Sequence, residues 1–410
     1  MPPPIHIRLL QLGCLSQIAA GMVIYPKQAS AEAAGVKKLP ALHARGQDVV
    51  DSKGNVVALR GVNVGGWLVT EGWMCGQKDK KDRNALEQLE ARFGPEKAAG
   101  LMKAWQDNWF TARDLDAIEK LGFNVIRVPF GYRTLQDAAG NWIRDNNRKI
   151  DFSRMDWVVE QAGKRGIYVI FDLHVWPGEY GWPSRATQEG QQVRARMSLV
   201  WSEVARHFRG VESIAAMDVI NEPEGSPGDL PQHAFYDAIR RQDPGRMIVV
   251  ETISYPNIPR GRWKNIVWSA HYPENSLKTG AVEERLAQFE EKEHIAGRNS
   301  EIAPIYIGEM KAPQDTLESA VELAHALNRR GWSWTVWTYK GVDNGGWAGF
   351  NYYGSLKYDL AADPYDVLMQ KWSADLIQWQ TPGKPANWYR TRWWLDGYRR
   401  AAGEPVVAKK

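Results

Sequence analysis

The chain predicts a (β/α)8 TIM barrel, an α/β fold in a single domain. Three observations carry that reading. Eight short, mostly apolar runs recur along the chain, at 57–63, 123–130, 168–174, 214–221, 246–252, 266–271, 304–309 and 333–339. Helix-compatible segments separate most of them. The junctions share one pattern: "KLG-FNVIRVPF", "KRG-IYVIFDLH", "FRG-VESIAAMDVINEP" and "RRG-WSWTVWTYK" each join a basic last helical turn, a glycine and a strand. Basic residues suit a helix C-terminus, and Gly122, Gly166, Gly210 and Gly331 sit where a helix end needs a left-handed residue. Near-continuous apolar strands alternating with helices mean a parallel sheet, and eight units suggest closure into a barrel.

Each element has its own justification. Leu115, Ile118 and Leu121 line one helical face ahead of the second strand, and Leu317, Val321, Ala324 and Leu327 line another ahead of the eighth. A doubly wound dinucleotide fold should show G-x-G-x-x-G after its first strand. Neither that motif nor a phosphate-binding G-x-x-x-x-G-K-[ST] loop occurs.

Composition bounds the rest. Apolar residues make up 44% and charged residues 24% of 410, as in soluble globular proteins. The net charge of +4 is nearly balanced, and "KDKKDR" at 78–83 is the one block of charge, read as a solvated loop. Nothing points to nucleic acid. Arg8, a moderately apolar stretch to Tyr25 and Ala29-Ser30-Ala31 have the order of an export signal, so residues 1–31 are expected to be a cleaved leader, with an uncleaved anchor as the rival. Residues 32–47 are expected to be a linker, 48–402 the barrel and 403–410 a tail. The protein is then secreted or periplasmic, free of the membrane after cleavage, and a monomer by default. Cys14 leaves with the leader, so Cys75 has no internal disulfide partner and no multi-Cys zinc site can form. Twenty tryptophans stand out, either as core residues or as flat faces for sugar rings.

A barrel carries its chemistry at the C-terminal ends of its strands. Those ends hold "GVNVGGW" (61–67), Arg127, His174 in "DLH", Asn221 and Glu222, His271 and Tyr272, Glu309 in "YIGEM", and Trp337 with Lys340. Glu71 and Trp73, just past the first strand, are candidates to line a subsite. Asp218 reads as structural, within its strand. Two carboxylates on opposed strands are the parts list of glycoside hydrolysis: one donates a proton, the other supports an oxocarbenium-like centre. Their pKa values must be pushed apart, and a separation of about 5–5.5 Å gives retention. No two histidines form H-x-H, no G-x-S-x-G elbow occurs, and no metal or organic cofactor is implied. "DNGGWAGF" (343–350) reads as a sugar-facing loop.

Six motifs, "GVNVGGWL", "GFNVIRVPFGY", "FDLH", "INEP", "IGEM" and "VWTYK", occur in the order and spacing of glycoside hydrolase family 5, from about residue 45 to 345. The resemblance implies a barrel and a retaining mechanism, with Glu222 as general acid/base and Glu309 as nucleophile. Arg127, His174, Asn221, His271 and Trp337 match the family's active-site shell. The segments at 61–68 and 107–132 look most like the branch of exo-acting β-1,3-glucanases. Three departures stand out. The family's H-x-Y becomes adjacent His271 and Tyr272, so one of the two, not plainly both, is expected to hold register. Met310 replaces an aromatic after Gly-Glu, and "VWPGEYGWPS" (175–184) replaces a small Gly-containing loop. The expected function is hydrolysis of β-glucosidic linkages in an oligo- or polysaccharide such as a β-glucan. Transfer to other acceptors, glycolipid cleavage by the same chemistry and a non-catalytic sugar-binding barrel are the alternatives.

Overall fold

A computed structural model describes residues 39–79, 85–178, 184, 186–223, 231–251, 263–276, 281–292, 303–342, 347–352, 357–373, 388–390 and 392–406. The expected leader lies outside them. All belong to one compact unit, Lys37–Lys410.

An antiparallel hairpin, β1 (Leu42–Arg45) and β2 (Asp48–Asp51), precedes the barrel. The barrel strands are β3 (Arg60–Asn63), β4 (Val125–Gly131), β5 (Tyr168–Val175), β6 (Ile214–Asp218), β7 (Met247–Glu251), β8 (Ile266–His271), β9 (Ile305–Glu309) and β10 (Ser333–Val336). They are parallel and close in sequence order, β10 pairing with β3. All eight expected strands are present. β6 and β10 stop three residues earlier than expected, so Glu222 and Trp337 stand beyond the ladder. Short strands β11 (Lys340–Val342), β12 (Phe350–Tyr352) and β13 (Trp388–Arg390) form a separate sheet.

The helices that matter for the site are α1 (Gly72–Cys75), α2 (Pro95–Trp109), α3 (Ala112–Lys120), α4 (Leu317–Arg329) and α5 (Arg392–Ala402). Gly122, Gly166, Gly210 and Gly331 all adopt positive φ, between 66° and 78°, as the junction pattern requires. Thr111 and Asp114 form a reciprocal cap at the start of α3. Leu115 and Ile118 of α3 are buried, whereas α4 buries Ala320, Leu323, Ala324 and Leu327 and leaves Leu317 and Val321 half-exposed. The face turns because α5 packs on it closely: a Cβ on Gly397 would lie 2.8 Å from that of Ala320.

Part of the expected linker is structured. β1 pairs with β2, and Leu42 and Val49 join Leu59, Val125, Ile170, Ala216, Val249 and Val267 in a cluster closing one end of the barrel. The expected tail is also tied down, at Glu404. Arg60 donates to the carbonyls of Ala401, Ala402 and Glu404, and the Glu404 carboxylate meets His325 and Asn328. Trp67, Trp105, Trp109, Trp201, Trp268, Trp334, Trp372 and Trp394 are fully buried, so these eight tryptophans are core residues. Cys75 is buried with a free thiol. Among the described residues no helix is long and apolar enough to cross a membrane.

Candidate active site

Arg127, from the middle of β4, is wholly buried and organises the C-terminal end of the barrel. Its Nε donates to Asp218 (2.9 Å), Nη1 to Glu309 (2.9 Å) and Asn63 (3.2 Å), and Nη2 to Asn221 (2.8 Å). Asp172 and Glu251 lie 3.1 and 3.8 Å from Nη2. Burial alone would weaken this base, but the surrounding carboxylates raise its pKa well above the ordinary value. Arg127 therefore acts from beneath the pocket, fixing the groups that face it. Asp218, read as structural, is one of its ligands. Burial and the neighbouring Glu251 and Asp172 raise the Asp218 carboxyl well above its usual range despite Arg127.

Above Arg127 the two glutamates meet. One ligand atom each from Glu222, His271 and Glu309 lies within 4.8 Å of the others. That spacing belongs with the narrow, retaining arrangement and not with the roughly 6.5–9.5 Å of inverting enzymes. Glu309 is nearly inaccessible, with 3% of its side chain exposed, whereas Glu222 is 40% exposed. Glu222 also sits at φ 37° and Tyr272 at φ 51°, left-handed conformations that non-glycine residues adopt at a cost of about 1–3 kcal/mol. The same three groups have donor atoms a cation could use, but an imidazolium at His271 offers none.

His271 and Tyr272 were expected to compete for register, and both reach the site. His271 Nδ1 lies 2.9 Å from Glu222 Oε1, and the Tyr272 hydroxyl donates to Glu309 Oε2. The left-handed backbone of Tyr272 turns adjacent residues toward the two different carboxylates. Burial and the charge of Glu309 raise the Tyr272 phenol well above its usual value, so it remains a donor.

The proton is not where paired-carboxylate logic expected it. Burial favours the neutral Glu222, but the hydrogen bond and charge of His271 prevail and hold its carboxyl down at about 2. His271 in turn is raised well above the usual imidazole value: burial opposes this, and Glu251, Glu309 and Glu222 outweigh it. These shifts place the proton nearest Glu222 on the adjoining imidazole.

His174 completes the wall. Its Nδ1 is 2.8 Å from Asp172 Oδ2, and its ring stacks on Trp337 at 5.4 Å and 9°. Burial lowers its basicity, but Asp172 raises it overall. Glu71 is 3% exposed and accepts from Trp73 Nε1 at 3.0 Å. Trp73 lies edge-on to Trp347, which is edge-on to Tyr272, and Lys311 Nζ sits 4.4 Å over the Trp347 ring. Trp347 thus borders the site, in keeping with a sugar-facing loop. Residues 343–346 of that loop, and 179–183 of the 175–184 segment, lie outside the described residues. Lys340, by contrast, turns into the core, with Nζ 2.5 Å from Asp114 and 2.7 Å from the Trp109 carbonyl.

Sequence reasoning missed Asn63, Asp172, Glu251 and Gly308. Asn63 donates to the Gly308 carbonyl at 2.9 Å and accepts from Arg127. Glu251 ends β7 as Glu309 ends β9, a signal present in "IVVE". Gly308 is required by the histidine: a Cβ there would lie 2.6 Å from His271 Nε2.

A closed parallel barrel with two facing carboxylates over a buried arginine defines a retaining glycoside hydrolase. The chain belongs to the cellulase family, glycosyl hydrolase family 5, whose family model matches residues 88–343. A β-xylosidase of Phanerodontia chrysosporium is 27% identical over 385 residues, covering 82% of this chain and 78% of that protein. A probable glucan 1,3-β-glucosidase A of Aspergillus niger is 28% identical over 221 residues, covering 50% of this chain and 51% of its own. The chain thus spans about half the length of that relative. Among solved structures, an endogalactoceramidase is 17% identical with a TM-score of 0.55, covering 88% of this chain and 85% of that one. Cel5A of Thermotoga maritima, in complex with mannotriose, is 19% identical with a TM-score of 0.50, covering 77% and 97%. These two share the barrel fold.

Proposed function

We propose that the protein hydrolyses β-glucosidic linkages of a β-glucan by double displacement, with Glu309 as nucleophile and Glu222 as general acid/base. One observation carries the assignment: Glu222 and Glu309 face each other within 4.8 Å yet differ sharply in surroundings. Glu309 is held by Arg127 Nη1 and the Tyr272 hydroxyl, which fixes one oxygen lobe toward a sugar. It attacks the anomeric carbon as the glycosidic C–O bond breaks. Glu222, more exposed and bonded to His271, delivers the proton to the departing oxygen. Glu222 then takes a proton from water, whose oxygen attacks the anomeric carbon and releases Glu309. Asn221, held by Arg127, stands beside Glu222 to donate to the sugar 2-hydroxyl. Trp337, braced by His174, provides a flat apolar floor, and Glu71 binds hydroxyls farther out.

The β-xylosidase relative covers more of the chain than the glucosidase does, so a β-xyloside is the second substrate class to test. A panel of β-linked gluco- and xylo-oligosaccharides, with products sized and their anomers read by NMR, tests the reading. Release of β-anomeric product supports it, and α-anomeric product overturns it. Added sugar acceptors in the same panel separate hydrolysis from transfer. Export is part of the proposal: N-terminal sequencing of secreted protein should begin just after Ala31.

A further inference from the structure

We propose that Glu251 is a positioning residue for Glu222, acting through His271: its carboxylate braces the imidazole against Glu222, so that Glu222 and His271 share one transferable proton. This rests on Glu222 as the acid/base and deepens it. Glu251 is fully buried at the end of β7 and touches no open part of the pocket. Its Oε1 lies 3.0 Å from His271 Nε2, an ion-pair contact off the line of a hydrogen bond, while Nδ1 of the same ring lies 2.9 Å from Glu222 Oε1. The imidazole therefore bridges a buried carboxylate and an exposed one. Gly308 leaves the ring its only seat, since any Cβ would strike Nε2. Ser269 Oγ, 3.5 Å from Glu251 Oε1, flanks the same carboxylate.

Other charged groups among the described residues face this bridge, and none of them duplicates Glu251. Arg127 of β4 lies 3.8 Å from Glu251 but spends its closer contacts on Asp218, Glu309 and Asn221. Asp172 and His174 of β5 pair with each other. Glu309 is 3.9 Å from Nδ1, and Tyr272 is committed to Glu309. Tyr306 of β9 bonds Thr335, and Glu274, just beyond β8, bonds the Lys311 backbone. In the shared state the proton lies on Nδ1. Its transfer to Glu222 leaves a neutral ring and a neutral acid, and the acid then protonates the leaving oxygen. When two groups are this tightly linked the proton belongs to the pair. The basic limb of kcat/KM then marks loss of the pair's last proton.

The test compares kcat/KM against pH for the wild-type chain, Glu251→Gln and Glu251→Asp, using the aryl β-glucoside or β-xyloside that the wild-type chain turns over. Removing an opposite charge this close lowers the pH at which the imidazole releases its proton by about 1–3 units. The basic limb of Glu251→Gln should move acidward by that amount. Glu251→Asp keeps the charge but withdraws it by one methylene, and should move the limb less, in the same direction. If the Gln variant does not fold, the Asp variant alone decides. An unmoved limb with activity lost equally at all pH values means Glu251 only packs, and an alkaline shift means its charge does not hold the shared proton; either overturns the proposal. Glu222→Ala, assayed beside them with azide, separates the two levels. β-Glycosyl azide formation upholds Glu222 as acid/base whatever Glu251 does, whereas unimpaired activity removes the premise.

Discussion

Gly308→Ala perturbs the site without replacing a side chain of the mechanism. The new methyl carbon would lie 2.6 Å from His271 Nε2, 3.1 Å from its Cδ2 and 2.9 Å from Ser269 Oγ. Ordinary contact begins at about 3.4 Å, so the ring must retreat by roughly 0.8 Å. Backbone pairing of His271 with Glu309 holds the strand, so the ring moves and not the ladder. A displacement of that size breaks the 2.9 Å contact with Glu222. A charge-assisted hydrogen bond contributes about 1.5–3 kcal/mol, which corresponds to a loss of about 10- to 150-fold. Overpacking should also cost about 1–3 kcal/mol of stability, a few degrees in melting temperature. The assay is kcat/KM on aryl β-glycosides of graded leaving-group basicity. The loss should be full for poor leaving groups and small for good ones, because only poor ones need the proton. An equal loss across the series, or none, would refute the argument that Gly308 exists to seat the histidine.

Tyr272→Phe removes one of two donors to Glu309 while Arg127 remains, so kcat/KM should fall about 10- to 100-fold with an unchanged melting temperature. Lys340→Met strands Asp114 in the core. Urea unfolding should show a loss of about 3–5 kcal/mol, with kcat of the folded fraction preserved. Glu274 is buried and its carboxyl is pushed up to about 8, so the folded state holds a proton that the unfolded chain releases. Its contribution is therefore whole below about 4.5 and is lost as pH rises through 8. Glu274→Gln keeps the acceptor for the Lys311 N–H and should be more stable than wild type at pH 7, by up to about 3 kcal/mol, the gap closing toward pH 4.5.

The barrel was legible because its signals are local and repeated. Each strand is buried on both faces and reads as an apolar run, and each glycine at a junction is demanded by one helix end. The two glutamates were legible for a related reason, since a charged residue ending an apolar run is conspicuous. What escaped was the layer beneath. Asp172 and Asp218 lie inside strands, where a lone polar residue reads as structural, and their pairing with Arg127 joins residues 45 and 91 positions away. Glu251 ended a strand as plainly as Glu309 does, but its partner, His271, belongs to the next strand, and only closure of the barrel brings them to 3.0 Å. The pKa ordering escaped for the same cause. Burial of a carboxyl suggests a raised value, and a neighbouring imidazolium reverses the sign. Lys340 shows the converse: its number puts it near the catalytic end, but its side chain finds Asp114 at the cap of α3.

In the proposed mechanism Glu309 forms the covalent bond to the sugar. A 2-deoxy-2-fluoro β-glycoside with a good leaving group slows turnover of that intermediate, and mass spectrometry of the digested protein locates the label. One added fluoroglycosyl unit per chain is expected, on the peptide containing Glu309, with no labelling of Glu309→Gln. Label on Glu222 or on another carboxylate, in a protein that turns over the parent glycoside, would contradict it.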